Sequence, residues 1–414
     1  MPRTHATPFS LLATILLTGA IALTAALNAD AAPDSTETVL SPDGRVEVAI
    51  ELSAGVPAYS ITRDGRPVIQ PSTLGFRFKD DPPLTGGFVV AGIERDTIDE
   101  TWEPVWGSAA EVTNRCNELE VRLREAGGLG RMMTLIFRVF DDGVGFRYVL
   151  PEQQNLGAID IVSEETTFRF AGDHTVWWIP NDYDSYEHLF RETPLSAVEG
   201  ANTPVTMATS EGLYVSVHEA NLTDYSAMTL VPEDGVPNAL RADLVPWPDG
   251  VKVIGRTPLA TPWRTIQIGE SPGDLVESHL MLNLNDPCVI EDTSWIRPMK
   301  YAGIWWSLHI GKESWHVGPT HGATTENAKR YVDFAAAHGL DAVLIEGWNT
   351  GWDRWGARGA FDYVTPYDDF DLEGVVRYGR EKGVAIIGHH ETGGDAADYE
   401  MRVDEAFDLY KRVG

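Results

Sequence analysis

The sequence predicts a multidomain β plus α/β chain: an N-terminal antiparallel β-sandwich, then parallel βα units. Three observations carry this. Up to about residue 284 apolar and polar residues alternate with period two between Asp-Gly turns. Near residue 295 the period lengthens to that of amphipathic helices. Between those helices lie short unbroken apolar runs, the mark of strands buried on both faces.

The first element is an export signal over residues 1–31. Arg3 supplies a positive start, Leu11 to Leu27 is an uncharged apolar run, and Ala29-Asp30-Ala31 fits small-x-small cleavage. The mature chain is expected to begin near Ala32 and to be exported, periplasmic or extracellular. A membrane anchor is the alternative; the small-residue end and the lack of positive charge downstream argue against it. No later stretch is long and apolar enough to span a bilayer, so no stable membrane insertion is expected after cleavage. A net charge of -30 repels phosphate backbones and anionic lipid, which excludes nucleic acid as a partner.

The sandwich is expected over 32–290. Val46, Val48, Ile50 and Leu52 alternate with polar residues from Arg45 to Leu52. Asp43-Gly44, Asp64-Gly65 and Asp142-Gly143 read as hairpin turns. No helical period is sustained here. Cys116 and Cys288 are far apart in sequence; a disulfide is open to an exported protein, but two cysteines make no framework, and two buried free thiols is the preferred reading.

The parallel units are expected over 291–414. Tyr301 to Trp306 is the first apolar run, Ala342 to Ile345 the second and Val384 to Ile387 the third. Thr325 to Ala337 predicts a helix capped by Thr324 or Thr325 and ended by Gly339. Asp371 to Lys382 predicts another, capped by Asp371 and stopped by Gly383, and Ala396 to Val413 a third. This evidence leaves a doubly wound sheet and a barrel both open. No glycine fingerprint for a nucleotide follows any strand.

Chemistry collects where these runs end. The first ends in Trp305-Trp306-Ser307-Leu308-His309, the second in Glu346-Gly347-Trp348-Asn349, the third in His389-His390-Glu391. The carboxyl ends of parallel strands build active sites. Glu346 and Glu391 are therefore the carboxylates of most interest, placed to hold a sugar hydroxyl, bind a metal or move a proton. Trp305, Trp306, Glu346, Trp348, Asn349, His389 and His390 are expected at the substrate, the tryptophans because aromatic faces pack on the C–H face of sugar rings. His-His-Glu also resembles a metal ligand set, but successive strand residues point to opposite faces, so His389 and His390 share an ion only past the strand's end.

These segments resemble glycoside hydrolase family 97. The likeness rests on His321-Gly-Ala-Thr-Thr-Glu-Asn-Ala-Lys-Arg-Tyr331, Val343-Leu-Ile-Glu-Gly-Trp-Asn349, Phe361-Asp-Tyr-Val-Thr-Pro-Tyr367 and His389-His-Glu-Thr392. It also rests on Phe137-Arg-Val-Phe-Asp-Asp-Gly-Val-Gly-Phe-Arg147 in the sandwich and Leu282-Asn-Leu-Asn-Asp-Pro-Cys288 at the junction. The resemblance implies a mutarotase-like sandwich followed by a (β/α)8 barrel, here incomplete because such a barrel takes ~250 residues. It implies an exported, calcium-dependent hydrolase of α-glucosides or α-galactosides, with an oligosaccharide or α-glycoside as partner. It implies Glu391 as an active-site carboxylate, Glu187, in Asn181-Asp-Tyr-Asp-Ser-Tyr-Glu187, as a calcium ligand, and an acid and a base or nucleophile beyond Gly414. The chain by itself is accordingly expected to be inactive. A non-catalytic carbohydrate-binding protein is the competing reading.

Overall fold

The computed structural model describes residues 34–183 and 185–414. The expected signal segment, residues 1–31, lies outside the described residues. These fall into two compact units, one of 34–104 with 110–289 and the other of 105–109 with 290–414.

The first unit is built of antiparallel strands, consistent with a sandwich. Seventeen strands among the described residues are linked edge to edge, and a separate trio joins Phe76–Phe78, Ala158–Glu164 and Val253–Arg256. The alternation seen in sequence sets the faces: Val46, Val48, Ile50 and Leu52 are buried in the strand Val46–Ser53 and their neighbours are not. Asp64 and Gly65 both take positive φ, 51° and 73°, which suits the two-residue turn between Val56–Arg63 and Arg66–Thr73. The longest hairpin pairs Phe88–Trp102 with Val112–Glu125. One apolar core runs from Val39 to Ile268, with Tyr59, Phe137, Phe146 and Trp178 among its largest members.

Inside this unit lies an ion group that sequence patterning does not announce. Arg264, 0% exposed, donates to both oxygens of Glu164 at 2.8 and 2.6 Å and to Glu219 at 2.6 Å. Thr166 and Tyr225 also donate to Glu164, at 2.8 and 3.0 Å. Burial by itself raises the Glu164 carboxyl, but the Arg264 guanidinium and these hydroxyls hold it below the ordinary carboxylate value.

Two sequence expectations are corrected here. Residues 272–283 are helical rather than strand-like: Pro272–Glu277 opens with a Ser271–Asp274 capping box, and Leu280–Asn283 follows. Helices this short present less than two turns, so no period could reveal them. The thiols also differ from each other. Cys116 is buried, its pKa pushed up to about 12 by desolvation, whereas Cys288 is exposed in the irregular stretch after Asn283; both are free.

In the second unit three parallel strands, Tyr301–Ile304, Ala342–Ile345 and Ala385–Ile387, pair in chain order. The first is shorter than its apolar run: it ends at Ile304, and Trp306–His309 forms a helical turn. The helices are Thr325–Ala337, Leu372–Lys382 and Ala396–Val413, capped by Thr324, Asp371 and Asp395. Gly383 terminates the second in the left-handed conformation, φ 72°. The sheet is not covered equally on both faces. Ile304, Val343 and Ile345 share a core with Val332, Ala335, Val375 and Leu409 of the helices. On the opposite face Ala342 is buried, but Tyr301 and Ala385 are exposed and Leu344 and Ile387 half-buried. No helix among the described residues is long and apolar enough to cross a membrane.

Candidate functional site

The ends of the three parallel strands converge on one polar and aromatic cluster. Glu346 follows the second strand directly and is mostly buried. Its Oε2 accepts the indole N–H of Trp315 at 3.0 Å, and its Oε1 lies 3.7 Å from His389 Nε2. The Trp315 ring stacks on Trp352 at 5.9 Å and 8°, and Trp352 stacks on His389 at 6.1 Å. His309 meets Trp315 edge-on at 5.0 Å, and Trp305 meets His309 at 4.7 Å. The aromatic row thus touches the ends of all three strands, with a carboxylate and an imidazole set into it.

Local structure explains why the chain bends here. Gly347, φ 79°, reverses the backbone after Glu346. Its carbonyl accepts from Nε2 of the buried His321 at 3.1 Å, while His321 Nδ1 sits 2.8 Å from Asp369. The motif opening at His321 therefore braces the turn that carries Glu346. Glu313 braces the neighbouring loop, accepting from Ser307 at 2.6 Å and Asn327 at 3.2 Å.

The residues expected at the substrate separate into two groups. Trp305 and Trp306, 42% and 61% exposed, offer open aromatic faces, and Glu346 and His389 sit together. Trp348 and Asn349 do not join them. Trp348 is buried, with its indole N–H on the His389 carbonyl at 3.0 Å and its ring beside Phe370 and Tyr410. Asn349 is fully buried, donating to the Asp362 carbonyl and accepting from Trp352. His390 departs from His389: its ring stacks on Tyr410 at 4.7 Å and its Nδ1 lies 3.0 Å from the Tyr399 hydroxyl. Desolvation there, with His389 nearby, lowers its pKa and favours the neutral ring. Glu391 is half-buried, its Oε1 accepting the Gly393 N–H at 2.6 Å. Among the described residues no hydrogen bond or ion pair joins it to Glu346 or His389. Trp315 was missed in sequence, because it lies in a loop without period; His309 and His321 stood in segments that the sequence singled out, though no place at the substrate was expected of them.

Glu187 is exposed in the loop before Arg191–Pro194 of the first unit, with its backbone N–H on Ser185. No hydrogen bond or ion pair engages its carboxylate among the described residues, so it offers the hard oxygen donor that calcium takes. Within the described residues no group of three or more His, Cys, Asp or Glu is gathered as a metal site.

An antiparallel β domain followed by parallel βα units, with carboxylate, imidazole and tryptophan at the strand ends, defines a β plus α/β chain whose candidate site is at the carboxyl ends of the parallel strands. The family description "Glycosyl-hydrolase 97 N-terminal" matches residues 39–287, and "Glycoside hydrolase 97" matches residues 305–414. The chain belongs to glycoside hydrolase family 97. It is 32% identical over 380 residues to a probable retaining α-galactosidase of Streptomyces bingchenggensis, covering 90% of this chain and 56% of that relative. A retaining α-galactosidase of Bacteroides thetaiotaomicron is 24% identical, covering 85% of this chain and again 56% of the relative. Among solved structures, a family 97 enzyme of a Pseudoalteromonas species in complex with acarbose is 42% identical, with a TM-score of 0.87, covering 91% of this chain and 57% of that one. The chain thus spans a little over half the length of the relatives it matches.

Proposed function

We propose that this chain belongs to an exported, calcium-dependent α-glycosidase acting on oligosaccharides or simple α-glucosides or α-galactosides. The observation that carries it is the placement of Glu346, His389, Trp305 and Trp306 around one aromatic row at the strand ends. An apolar platform beside hydrogen-bonding carboxylate and imidazole suits a sugar ring, which has one C–H face and a rim of hydroxyls. Support comes from relatives named retaining α-galactosidases and from a family 97 structure determined with panose as well as the acarbose complex.

In this reading Glu391 is an active-site carboxylate, one of the pair that glycoside hydrolysis takes. The three sequential parallel strands, with one helical core on one face, form part of a (β/α)8 barrel; a doubly wound sheet would carry helices on both faces. The first unit is a mutarotase-like sandwich, extending to about residue 290. Glu187 would hold calcium as one of six to eight oxygens. Bound there, calcium supplies charge that orients carboxylates and polarises a sugar oxygen.

The test is binding, because it does not presume turnover. Acarbose, methyl α-glucoside and methyl α-galactoside should each be titrated calorimetrically with and without calcium. At least one should bind, and Glu187→Gln should weaken binding in a way that higher calcium restores, as loss of one ligand among several does. Absence of binding by all three with calcium present would overturn the proposal.

A further inference from the structure

Trp315 lies in the irregular stretch between Trp306–His309 and Thr325–Ala337, where no period marked it. An indole N–H is a donor and nothing else. Its partner is one oxygen of Glu346, at 3.0 Å, so that oxygen is committed as an acceptor. The other oxygen is left 3.7 Å from Nε2 of His389, a buried ring atom with no hydrogen-bond partner among the described residues. The indole cannot swing away easily, because its ring is stacked on Trp352 and met edge-on by His309. Trp352 in turn stacks on His389 and donates its own N–H to the buried Asn349 at 3.3 Å. Donor, carboxylate and imidazole are thus held by one row of rings.

We infer that Trp315 is a positioning residue: its indole N–H fixes the Glu346 carboxylate so that the second oxygen is presented, beside His389, to a hydroxyl of the bound sugar. A buried carboxylate with one oxygen already satisfied by the protein has one oxygen left to offer, and its direction is set before the ligand arrives. Preorganisation of this kind lowers the ordering cost of binding. The inference rests on the sugar-binding reading of Glu346 given above.

Two measurements on the full chain separate this inference from that reading. The first needs no sugar. The Trp315 indole N–H resonance, identified by its loss in Trp315→Phe, should shift in Glu346→Gln, because a hydrogen bond to a charged acceptor becomes one to a neutral amide. An unmoved resonance would overturn the inference whatever the ligand. The second measures the affinity of methyl α-galactoside and methyl α-glucoside. Trp315→Phe keeps an aromatic ring while removing the donor with part of the indole's bulk, so binding should weaken about tenfold. The double variant Trp315→Phe/Glu346→Gln should bind no more weakly than Glu346→Gln alone, since both act through one carboxylate. Additive losses would show Trp315 acting by packing and refute the positioning role. Wild-type affinity in Glu346→Gln would instead refute the sugar-binding role of Glu346, while the resonance still decides the geometry. Should Trp315→Phe fail to fold, Trp315→Tyr identifies the same indole resonance by its loss, and the shift of that resonance in Glu346→Gln keeps the test decisive.

Discussion

A fully buried guanidinium between two carboxylates is costly to break. Arg264 holds Glu164 and Glu219 by charged hydrogen bonds at 2.6 to 2.8 Å, with no solvent to share the charge. Removing only the cation leaves two anions desolvated and unpaired. Arg264→Met should therefore destabilise the first unit by about 3–5 kcal/mol, whereas Arg264→Met with Glu164→Gln and Glu219→Gln should recover most of that loss. Denaturant unfolding of the three proteins measures it; a loss below about 1 kcal/mol in the single variant would mean that the ion group carries little. None of this was legible in sequence, because Glu164, Glu219 and Arg264 sit on strands far apart along the chain. Glu346 and His389 were legible, since each follows an apolar run at a position where parallel sheets place chemistry. Trp348 and Asn349 stood in the same segment, yet the fold buries both. Position along a strand end tells where chemistry gathers, while the side-chain direction past the strand depends on turns such as Gly347.

At the scale of elements, caps and stops gave the most faithful signals. Thr324, Asp371 and Gly383 bound their helices as the sequence implied, because a cap is a bond within three or four residues and needs no tertiary partner. The helical turn Trp306–His309 escaped notice since its apolar residues continue the preceding strand without a break. The turn after the second parallel strand offers a test of how tightly these elements are joined. Gly351 has φ 123°, and a Cβ there would collide with the Ala360 carbonyl and lie 2.7 Å from Phe361 Cα. Gly356 also has positive φ, 80°, but a Cβ there meets nothing within 4 Å. Backbone strain of about 1–3 kcal/mol applies to alanine at either position. Only Gly351→Ala adds a backbone collision, which would push Trp352 away from Phe361 and Trp315. It should lower the thermal midpoint clearly more than Gly356→Ala and alter the near-ultraviolet tryptophan dichroism. Equal effects from the two substitutions would show that the turn yields freely.

At the scale of the whole chain, the two units differ in how completely their apolar surface is enclosed, and this difference predicts where the molecule opens first. The first unit wraps one core, with Val48, Ile61, Phe137, Val217 and Ile266 at 0% exposure on five different strands, and antiparallel pairing ties those strands edge to edge. Opening any one strand there exposes its neighbours, so local unfolding approaches the cost of global unfolding. The second unit has three short strands. Tyr301 on the less covered face is 54% exposed, and a cavity of about 420 Å³ beside the third strand is lined by Ile386, Ile387, Tyr410 and Val413. Apolar side chains that line this open cavity lack packing partners on that side, so the helix Ala396–Val413 and the third strand are held by fewer contacts than their apolar content would permit. Limited proteolysis with thermolysin or chymotrypsin, which cut at apolar and aromatic residues, should therefore cut first within 290–414. A resistant product of about Val39 to Leu284 should accumulate and be identifiable by mass. Early cleavage within the antiparallel unit, with 290–414 surviving, would contradict the ranking of the two cores.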